Sequence, residues 1–249
     1  MLRLIPDSPG GRQEVTVRDL LGNYSPSESA GPDGPFVAAN MITTIDGRAA
    51  FEGRAKELGG KTDAELLLGL RTRFDALLVG AQTVRAERYG PIVRDPAARE
   101  ERESLGLEPS PLAAVMSRSA DLPFDCELFT SGEGQVVIFT EEGRDTPPTA
   151  TPVDLVTDVD LEDPKAVLEC LATRYGIRSV LCEGGPSILS QLIGSGVVDE
   201  LFLTISPLAT GEQDAPRVIE GELGRPVEFE LAELLVEDSE LFARYRPRR

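Results

Sequence analysis

The chain has 249 residues, of which 41% are hydrophobic, and this is enough apolar material for one sizeable α/β core. Its formal net charge of −18 at pH 7 argues against binding to nucleic acid or to an anionic membrane, because both would be repelled. The absence of His excludes a His-dependent catalytic unit, and three Cys without paired spacing argue against a zinc site or a disulfide framework. We therefore expect no metal.

Neither terminus nor interior carries a membrane signal. The N-terminus has no apolar h-region, and no run approaches the roughly 18 consecutive apolar residues of a membrane span. We therefore expect a cytoplasmic protein whose thiols stay reduced.

Residues 1–35 are rich in Pro, Gly and Ser and are predicted to form an N-terminal arm, with a short helix at 15–24. This arm either packs on the domain or reaches a partner subunit. Residues 36–249 are predicted to form a single domain, because strands and helices then alternate without a linker.

The alternation predicts a mostly parallel sheet with an antiparallel edge. Short apolar runs predict strands at 36–41, 75–80, 112–116, 135–140, 153–156 and 179–182. Apolar residues at helical spacing predict helices at 62–74 with Thr62 as N-cap, at 83–87, within 91–107, at 163–175 and at 187–193. Antiparallel or edge strands are predicted at 200–205, 227–236 and 241–246.

Two of the buried strands end in turns that are suited to an anion. Gly80 ends one strand and leads to a helix start at Thr83, where free backbone N–H groups either hold an anion or only turn the chain. Glu183, Gly184 and Gly185 end another strand and lead into a helix whose N-terminus favours a pyrophosphate. The alternative for this second turn is a capping loop with a solvated glutamate.

Two further turns carry polar side chains. Ser117 and Arg118 follow the strand at 112–116 and form either a surface loop or a site for a phosphate monoester, such as the 2′-phosphate of NADPH. Thr44 and Asp46 either bind a polar ligand or fix a turn. Beyond these turns, Arg71 and Arg94 either clamp a phosphate or are solvated charges. Thr43 shares the turn of Thr44.

These segments, taken in chain order, resemble the reductase domain of the bifunctional riboflavin-biosynthesis protein, the RibD C-terminal family. The motifs are TTIDGR at 43–48, ELLLGLRTRFDALLVGAQTVRAE at 65–87, VMSR at 115–118, CEGGPSIL at 182–189 and DELFLTISPLATG at 199–211. The resemblance spans about residues 36–245.

The resemblance implies a dihydrofolate-reductase-like α/β fold, with a mostly parallel central sheet, helices on both faces and an antiparallel C-terminal edge. It implies NADPH as cofactor and a homodimer formed through the C-terminal strands. The implied reaction is the reduction of 5-amino-6-(5-phosphoribosylamino)uracil, a phosphorylated small molecule, at C1′ of its ring-opened sugar. The cofactor carries the hydride, so the protein chiefly aligns the reacting carbons.

The resemblance also implies roles for individual residues. Glu183 would be the catalytic residue, stabilising an iminium or relaying a proton. Substrate would contact Arg71, Arg94, Glu183 and Asp46. The cofactor would contact Ile42, Thr44, Gly80, Thr83, Val84, Glu87, Ser117, Arg118, Gly184, Gly185, Pro186, Ser187 and Ile188.

The sequence departs from the family pattern in ways that bear on the substrate. Glu87 and Arg88 stand where many members have two Asp, and Lys61-Thr62 stands in the region of a common Ser-Trp pair. Two alternatives therefore stay open. One is an NADPH-dependent reductase of another pteridine- or folate-like compound, and the other is an NADPH-binding protein with a decayed catalytic site.

Overall fold

The computed structural model describes residues 1–5, 13–32, 34–143 and 145–248. Residues 6–12 and 33 of the predicted arm, and positions 144 and 249 of the predicted domain, lie outside these ranges. The strands within them are β1 Leu2–Ile5, β2 Gln13–Glu14, β3 Phe36–Thr44, β4 Ala76–Gly80, β5 Leu112–Met116, β6 Val136–Phe139, β7 Val153–Val156, β8 Ser179–Cys182, β9 Glu200–Ser206, β10 Phe229–Glu237 and β11 Glu240–Pro247. The helices are α1 Val17–Leu21, α2 Lys61–Arg71, α3 Ala81–Glu87, α4 Pro96–Ser104, α5 Glu127–Thr130, α6 Pro164–Tyr175 and α7 Pro186–Gly194.

All of these strands belong to one sheet, in the order β2-β1-β10-β11-β9-β3-β8-β4-β5-β6-β7. The strands from β9 to β7 pair in parallel. On the other side of β9, the neighbouring pairs β9-β11, β11-β10, β10-β1 and β1-β2 are antiparallel. The predicted fold class, a mostly parallel α/β sheet with an antiparallel C-terminal edge, is confirmed.

The apolar strands are buried on both faces because helices cover both sides of the parallel part of the sheet. Side chains alternate along β4, so that Leu77 faces one core cluster and Leu78 the other. Leu66 and Leu70 of α2 join the first cluster. The second cluster receives side chains of α6 and α7, among them Leu168, Leu171, Leu189 and Leu192.

Predicted and observed elements agree best where a short apolar run is bounded by turn residues. The strands predicted at 112–116, 153–156 and 179–182 have the observed bounds. The first strand, predicted at 36–41, continues to Thr44, so Ile42 and Thr44 lie within it rather than after it. The prediction of Thr62 as N-cap is wrong, because Gly60 caps α2 and the Thr62 hydroxyl donates to Glu237 over 2.9 Å.

The described parts of residues 1–35 pack on the domain. β1 pairs with β10, with Leu2 opposite Val236, and thereby extends the antiparallel side of the sheet. Val17 and Leu20 of α1 pack against the core cluster to which α2 contributes. The short helix α5 and a 3₁₀ turn at Pro26–Ser29 were not predicted.

A fully buried arginine ties α4 to the end of α2. The Arg102 side chain is 0% exposed, and its guanidinium donates to the carbonyl oxygens of Arg71, Phe74 and Glu108 over 2.7, 2.8 and 2.7 Å. Burial lowers the pKa of Arg102 to about 10, against the opposing effect of the Asp75 charge. This arginine therefore fixes the backbone of Arg71.

We expect Arg102→Met to lower the free energy of unfolding by about 3 kcal/mol or more, since it leaves three buried carbonyl groups without their donor. Arg102→Lys keeps the charge but not the planar fork and should recover only part of that loss. The exposed Glu103 of the same helix gives the control, as Glu103→Ala should change stability by less than about 0.5 kcal/mol. Urea denaturation measures all three, and equal losses for positions 102 and 103 would contradict the assignment.

Candidate active site

The tips of β4 and β8 meet at the carboxyl edge of the parallel strands. The Gly80 amide donates to the Gly184 carbonyl over 2.9 Å. The backbone of Gly184 has φ +90°, and a Cβ there would come within 3.3 Å of the Met41 sulfur on β3. A Cβ on Gly185 would lie 3.2 Å from the Thr83 hydroxyl oxygen. The structure thus brings the predicted residues of these two turns into one close contact, which a side chain at Gly184 or Gly185 would crowd.

Three of the helices that begin at this edge lack side-chain caps. α2, α3 and α7 have the glycines Gly60, Gly80 and Gly185 as N-caps, and none of these makes a side-chain hydrogen bond. α1, α4 and α6 are instead capped by the side chains of Thr16, Asp95 and Asp163. α5, whose N-cap is Cys126, has no side-chain cap either. The first amides of α2, α3 and α7 are therefore left without a side-chain cap and can bind a ligand or water.

The helix starts place the other predicted cofactor residues at different depths. Pro186 and Ser187 open α7, with Ser187 exposed, whereas Ile188 is buried and would lie 3.1 Å from a Cβ on Gly80. Val84 of α3 is 0% exposed and packs in the core, so its side chain does not reach a ligand. The prediction that Val84 binds cofactor can therefore hold only through its backbone.

Ser117 and Arg118 follow β5, the strand next to β4. Ser117 is buried, and its amide donates to the Phe139 carbonyl at the tip of β6. The Arg118 side chain is exposed, while its carbonyl oxygen accepts from the Thr140 hydroxyl over 3.0 Å. These residues thus stand at the same edge as Gly80, one strand further along the sheet.

A cleft of about 570 Å³ lies between α2, the tip of β3 and the segment that follows α3. Of the predicted site residues, its walls contain Ile42, Arg71, Thr83, Glu87, Arg94 and Glu183. The walls also contain polar and charged residues that sequence reasoning did not assign, namely Asn40, Lys56, Asp63, Arg88 and Tyr89. No group of acidic, cysteine or histidine side chains among the described residues is placed to hold a metal ion.

Arg71 and Glu183 form a buried bidentate ion pair in the floor of this cleft. Arg71 Nε donates to Glu183 Oε1 over 2.7 Å, and Nη2 donates to Oε2 over 2.6 Å. The Tyr89 hydroxyl donates to the same Oε2 over 2.8 Å, and the Arg71 guanidinium lies 5.4 Å from the Tyr89 ring centre. The two charged side chains are only 14% and 4% exposed. Both carboxylate oxygens of Glu183 therefore have protein partners.

Burial and charge act against each other in this cluster. Burial alone would lower the pKa of Arg71, but the adjacent Glu183 carboxylate and its hydrogen bonds raise it above the ordinary value. Burial raises the pKa of Tyr89 well above its usual range, and the Glu183 charge raises it further. Arg71 is thus a permanent cation and Tyr89 a neutral hydrogen-bond donor near neutral pH.

The cations at the mouth of the cleft are held more loosely. Arg94 pairs with Glu127 over 2.5 Å and Arg88 with Asp125 over 2.6 Å, and all four side chains are at least half exposed. The exposed Lys56 has no ion-pair partner among the described residues. Exposed pairs of this kind contribute little to stability and exchange readily for an anionic ligand.

Glu87 also has a partner within the cleft wall. Its carboxylate accepts a hydrogen bond from the Ala55 amide over 2.8 Å and so fixes the loop before α2. This contact orients the carboxylate without using both of its oxygens.

Thr44 and Asp46 stabilise a turn instead of lining the cleft. The buried Thr44 hydroxyl donates to Asp46 over 2.5 Å, and Asp46 also accepts from the Gly211 amide over 2.9 Å. The Thr44 hydroxyl, followed by the Gly211 amide, lowers the pKa of Asp46. Neither residue lies among the cleft walls, so the structure does not bring these two predicted contacts to the other site residues.

Asn40 was missed because one amide in a buried strand gives no sequence signal. It stands on β3, and its Oδ1 atom is buried with no hydrogen-bond partner among the described residues. A buried acceptor without a donor costs free energy, and a ligand N–H or O–H in the cleft can supply that donor.

A second cleft, of about 490 Å³, lies at the other end of β9, beside Tyr24 and Glu200. The oxygens of Glu200 accept from the Tyr24 hydroxyl and from Arg246 Nε, each over 2.9 Å. None of the predicted site residues lines this second cleft, whereas six line the cleft at the carboxyl edge, which is therefore the better candidate site.

Comparison with known proteins identifies relatives. The family model described as the RibD C-terminal domain matches residues 35–241. A 2,5-diamino-6-ribosylamino-4(3H)-pyrimidinone 5′-phosphate reductase of Archaeoglobus fulgidus is 29% identical over 76% of this chain and 87% of its own length. A Bacillus amyloliquefaciens riboflavin biosynthesis protein RibD is 28% identical over 76% of this chain, but only 50% of that longer protein is covered.

Among solved structures, a pyrimidine reductase-like protein of Corynebacterium diphtheriae has a TM-score of 0.75 and 26% identity, covering 94% of this chain and all of that one. A riboflavin biosynthesis reductase of Saccharomyces cerevisiae has a TM-score of 0.69 at 21% identity, covering 93% of this chain and 99% of that one, and supports the fold.

The buried ion pair makes a prediction about stability. Arg71→Met and Glu183→Gln should each lower the free energy of unfolding by about 3–5 kcal/mol, because each leaves a buried charge without its partner. The double variant should lose at least about 1 kcal/mol less than the sum of the two single losses. Denaturation in urea gives all three values, and strictly additive losses would show that the two side chains do not stabilise each other.

Proposed function

The chain belongs to the RibD C-terminal domain family, and on that premise we propose that it is the reductase of riboflavin biosynthesis. It would reduce a ribosylamino-pyrimidine 5′-phosphate to the ribitylamino compound, with a reduced nicotinamide as electron source. The observation that carries this proposal is the cleft at the carboxyl edge, which is lined by the ends of β3 and β8, by the glycine-capped start of α2, by Thr83 of α3 and by several cations.

Two pyrimidines are the candidate substrates. One is 5-amino-6-(5-phosphoribosylamino)uracil, and the other is the 2,5-diamino pyrimidinone in the name of the archaeal relative. They differ at ring position 2, where an amino group replaces an oxygen. The names of the relatives favour this class of compound over a folate and over a binding protein without activity.

The residues at the carboxyl edge fit NADPH. The N-terminus of α7 suits the pyrophosphate, since its amides and dipole favour an anion and no side chain caps it. Ser117 and Arg118, one strand away, would contact the 2′-phosphate, which their position at the same edge supports. Thr83 and Ile42 would line the nicotinamide end. When bound, the reduced nicotinamide supplies the hydride for C1′ of the sugar.

The cleft residues would then position the substrate. Lys56, Arg88 and Arg94 would hold the 5′-phosphate, since their charges are exposed and the ion pairs of Arg88 and Arg94 lie at the surface. Arg71 was predicted to hold this phosphate as well. Its guanidinium fork is occupied by Glu183, so we propose that the pair contacts the sugar hydroxyls through its outer edges. Glu183, held in place by Arg71, would stabilise the partial positive charge that develops at the reacting centre as the nitrogen gains its proton.

A homodimer and a cytoplasmic location remain parts of the proposal. Half-buried apolar side chains form a cross-strand row on one face of the antiparallel edge, and a second copy would cover them. The row consists of Leu2, Val236, Leu241 and Ile205. A monomeric mass in sedimentation equilibrium would rule the dimer out.

The three cysteines are buried free thiols, as a reducing compartment allows. None of the described helices is long and apolar enough to cross a membrane.

The decisive assay follows loss of reduced-nicotinamide absorbance with each pyrimidine and with dihydrofolate. We expect turnover with at least one of the pyrimidines and none with dihydrofolate.

Arg94→Ala should raise KM for the active pyrimidine about 10- to 100-fold, since it removes a charged phosphate contact, and should leave NADPH binding unchanged. Arg85→Ala is the control, because Arg85 is exposed on α3 and donates to the Asp121 carbonyl outside the cleft. Equal losses in substrate and cofactor binding would count against the phosphate role.

Cofactor choice gives a separate prediction. Arg118→Ala should lower the preference for NADPH over NADH about tenfold or more, measured as the ratio of kcat/KM values, because the 2′-phosphate loses a cationic partner. The Arg85→Ala variant should keep the original ratio. A ratio that is unchanged in Arg118→Ala would remove this residue from the cofactor site.

A further inference from the structure

Asp63 has a carboxyl group in the cleft wall, and none of the substrate or cofactor contacts proposed above involves it. It stands in the first turn of α2 and lines the same cavity as Arg71 and Glu183. A carboxyl at this helix position commonly accepts the N-cap amide. Here the Gly60 amide donates instead to Glu240 over 2.7 Å. Asp63 is therefore not used as a cap.

The Asp63 carboxyl lies against the glycines that precede the helix. A Cβ on Gly59 would come within 2.2 Å of Asp63 Oδ2, so this position has no room for a side chain. A Cβ on Gly60 would likewise come within 2.8 Å of a Glu240 carboxylate oxygen. Two acidic groups, one from α2 and one from β11, thus occupy the space beside the same two glycines.

The surroundings of Asp63 favour its protonated form. Burial raises the pKa of the Asp63 carboxyl, the Thr204 hydroxyl partly offsets this, and the negative charge of Glu240 raises it again. Glu240 itself is only 7% exposed. The charged groups that line the cavity around Asp63 come from the loop before α2, from α2, from the segment after α3 and from the tip of β8, and they are Lys56, Arg71, Glu87, Arg88, Arg94 and Glu183.

The reaction in the proposed function, on which this inference rests, needs a proton as well as a hydride. Reduction of the C1′=N bond adds a hydride from the nicotinamide to carbon, and the π electron pair moves to nitrogen. That nitrogen must gain a proton. Of the other carboxyls of the cleft, Glu183 accepts from Arg71 and Tyr89 through both oxygens, and Glu87 is oriented through one oxygen by the Ala55 amide. Tyr89 directs its own proton to Glu183.

We propose that Asp63 is the catalytic acid that delivers this proton to the nitrogen of the reduced bond. In the step, the O–H bond of Asp63 breaks, the new N–H bond forms with the electron pair released from the C=N bond, and Asp63 becomes a carboxylate. Water then returns a proton to Asp63 before the next turnover. A ligand that fills the cleft removes further water from Asp63 and strengthens its hold on the proton beforehand.

Asp63→Asn tests the proposal, with Glu65→Gln of the same helix as the matched control, because Glu65 is exposed and, within the described ranges, forms an ion pair only with Lys61. We expect Asp63→Asn to lower kcat about 100- to 1,000-fold, in the range of general acid catalysis, and to leave KM and NADPH binding within about threefold. Glu65→Gln should retain kcat. Binding of NADPH is measured by calorimetry, independently of turnover.

The pH profile separates a proton donor from a structural residue. In the parent protein kcat should fall as pH rises through the pKa of Asp63, because the acid is lost, and Asp63→Glu should keep this limb. Glu240→Gln retains the hydrogen bond to Gly60 but removes a negative charge, so it should move the limb to lower pH. Carbon-13 NMR titration of the aspartate carboxyls, assigned with Asp63→Asn, should show the same downward shift in the Asp63 pKa.

The outcomes distinguish this proposal from the proposed function. A parent protein inactive with both pyrimidines would overturn the function and the acid together. A fully active parent whose Asp63→Asn variant keeps more than about a third of kcat would overturn the acid alone. If Asp63→Asn does not fold, the Asp63→Glu and Glu240→Gln profiles decide, and a limb that Glu240→Gln leaves in place would refute the assignment.

Discussion

The geometry of the cleft depends on the ion pair between Arg71 and Glu183. The pair joins the last turn of α2 to the tip of β8, and Tyr89 adds a third segment to the same carboxylate. A buried ion pair adds little net stability, because desolvation offsets most of the attraction, but the loss of either partner leaves an unpaired charge. Its effect is therefore geometric. It holds α2 at the distance from β8 at which a cavity of about 570 Å³ remains open between them.

The rigidity of this wall extends to the backbone. Arg102 holds the carbonyl of Arg71 from the opposite side, so the residue is fixed through both its side chain and its main chain. The mouth of the cleft differs in kind. Arg88 and Arg94 are exposed and have exposed acidic partners, which an incoming phosphate can replace at little cost. A rigid floor with an adaptable mouth suits a substrate whose phosphate stays at the mouth while C1′ of its sugar reacts deeper in the cleft.

The sequence predicts the sheet well, because fully buried parallel strands are short apolar runs between turn residues, as at 112–116 and 179–182. Parallel strands place their tips at one edge, so the meeting of Thr83 with Gly185 also follows from the predicted alternation. Side-chain partners do not follow. Arg71 and Glu183 are 112 positions apart, and nothing in either motif indicates that they bind each other. Val84 shows the converse, since a residue inside a recognised motif turns its side chain into the core.

The charge distribution explains how a strongly acidic protein can bind a phosphorylated compound. Screening limits exposed charges to a range of about 8 Å at physiological salt, so the −18 of the whole chain matters less than the groups in the walls. Those described walls contain the cations Lys56, Arg71, Arg88 and Arg94, against which stand the carboxyls of Asp63, Glu87 and Glu183. Glu183 neutralises Arg71 in the floor, which leaves the remaining cations to act at the mouth. The negative neighbour Glu240 lies behind Asp63 rather than in the cavity wall, and it can therefore favour the protonated acid without repelling the phosphate.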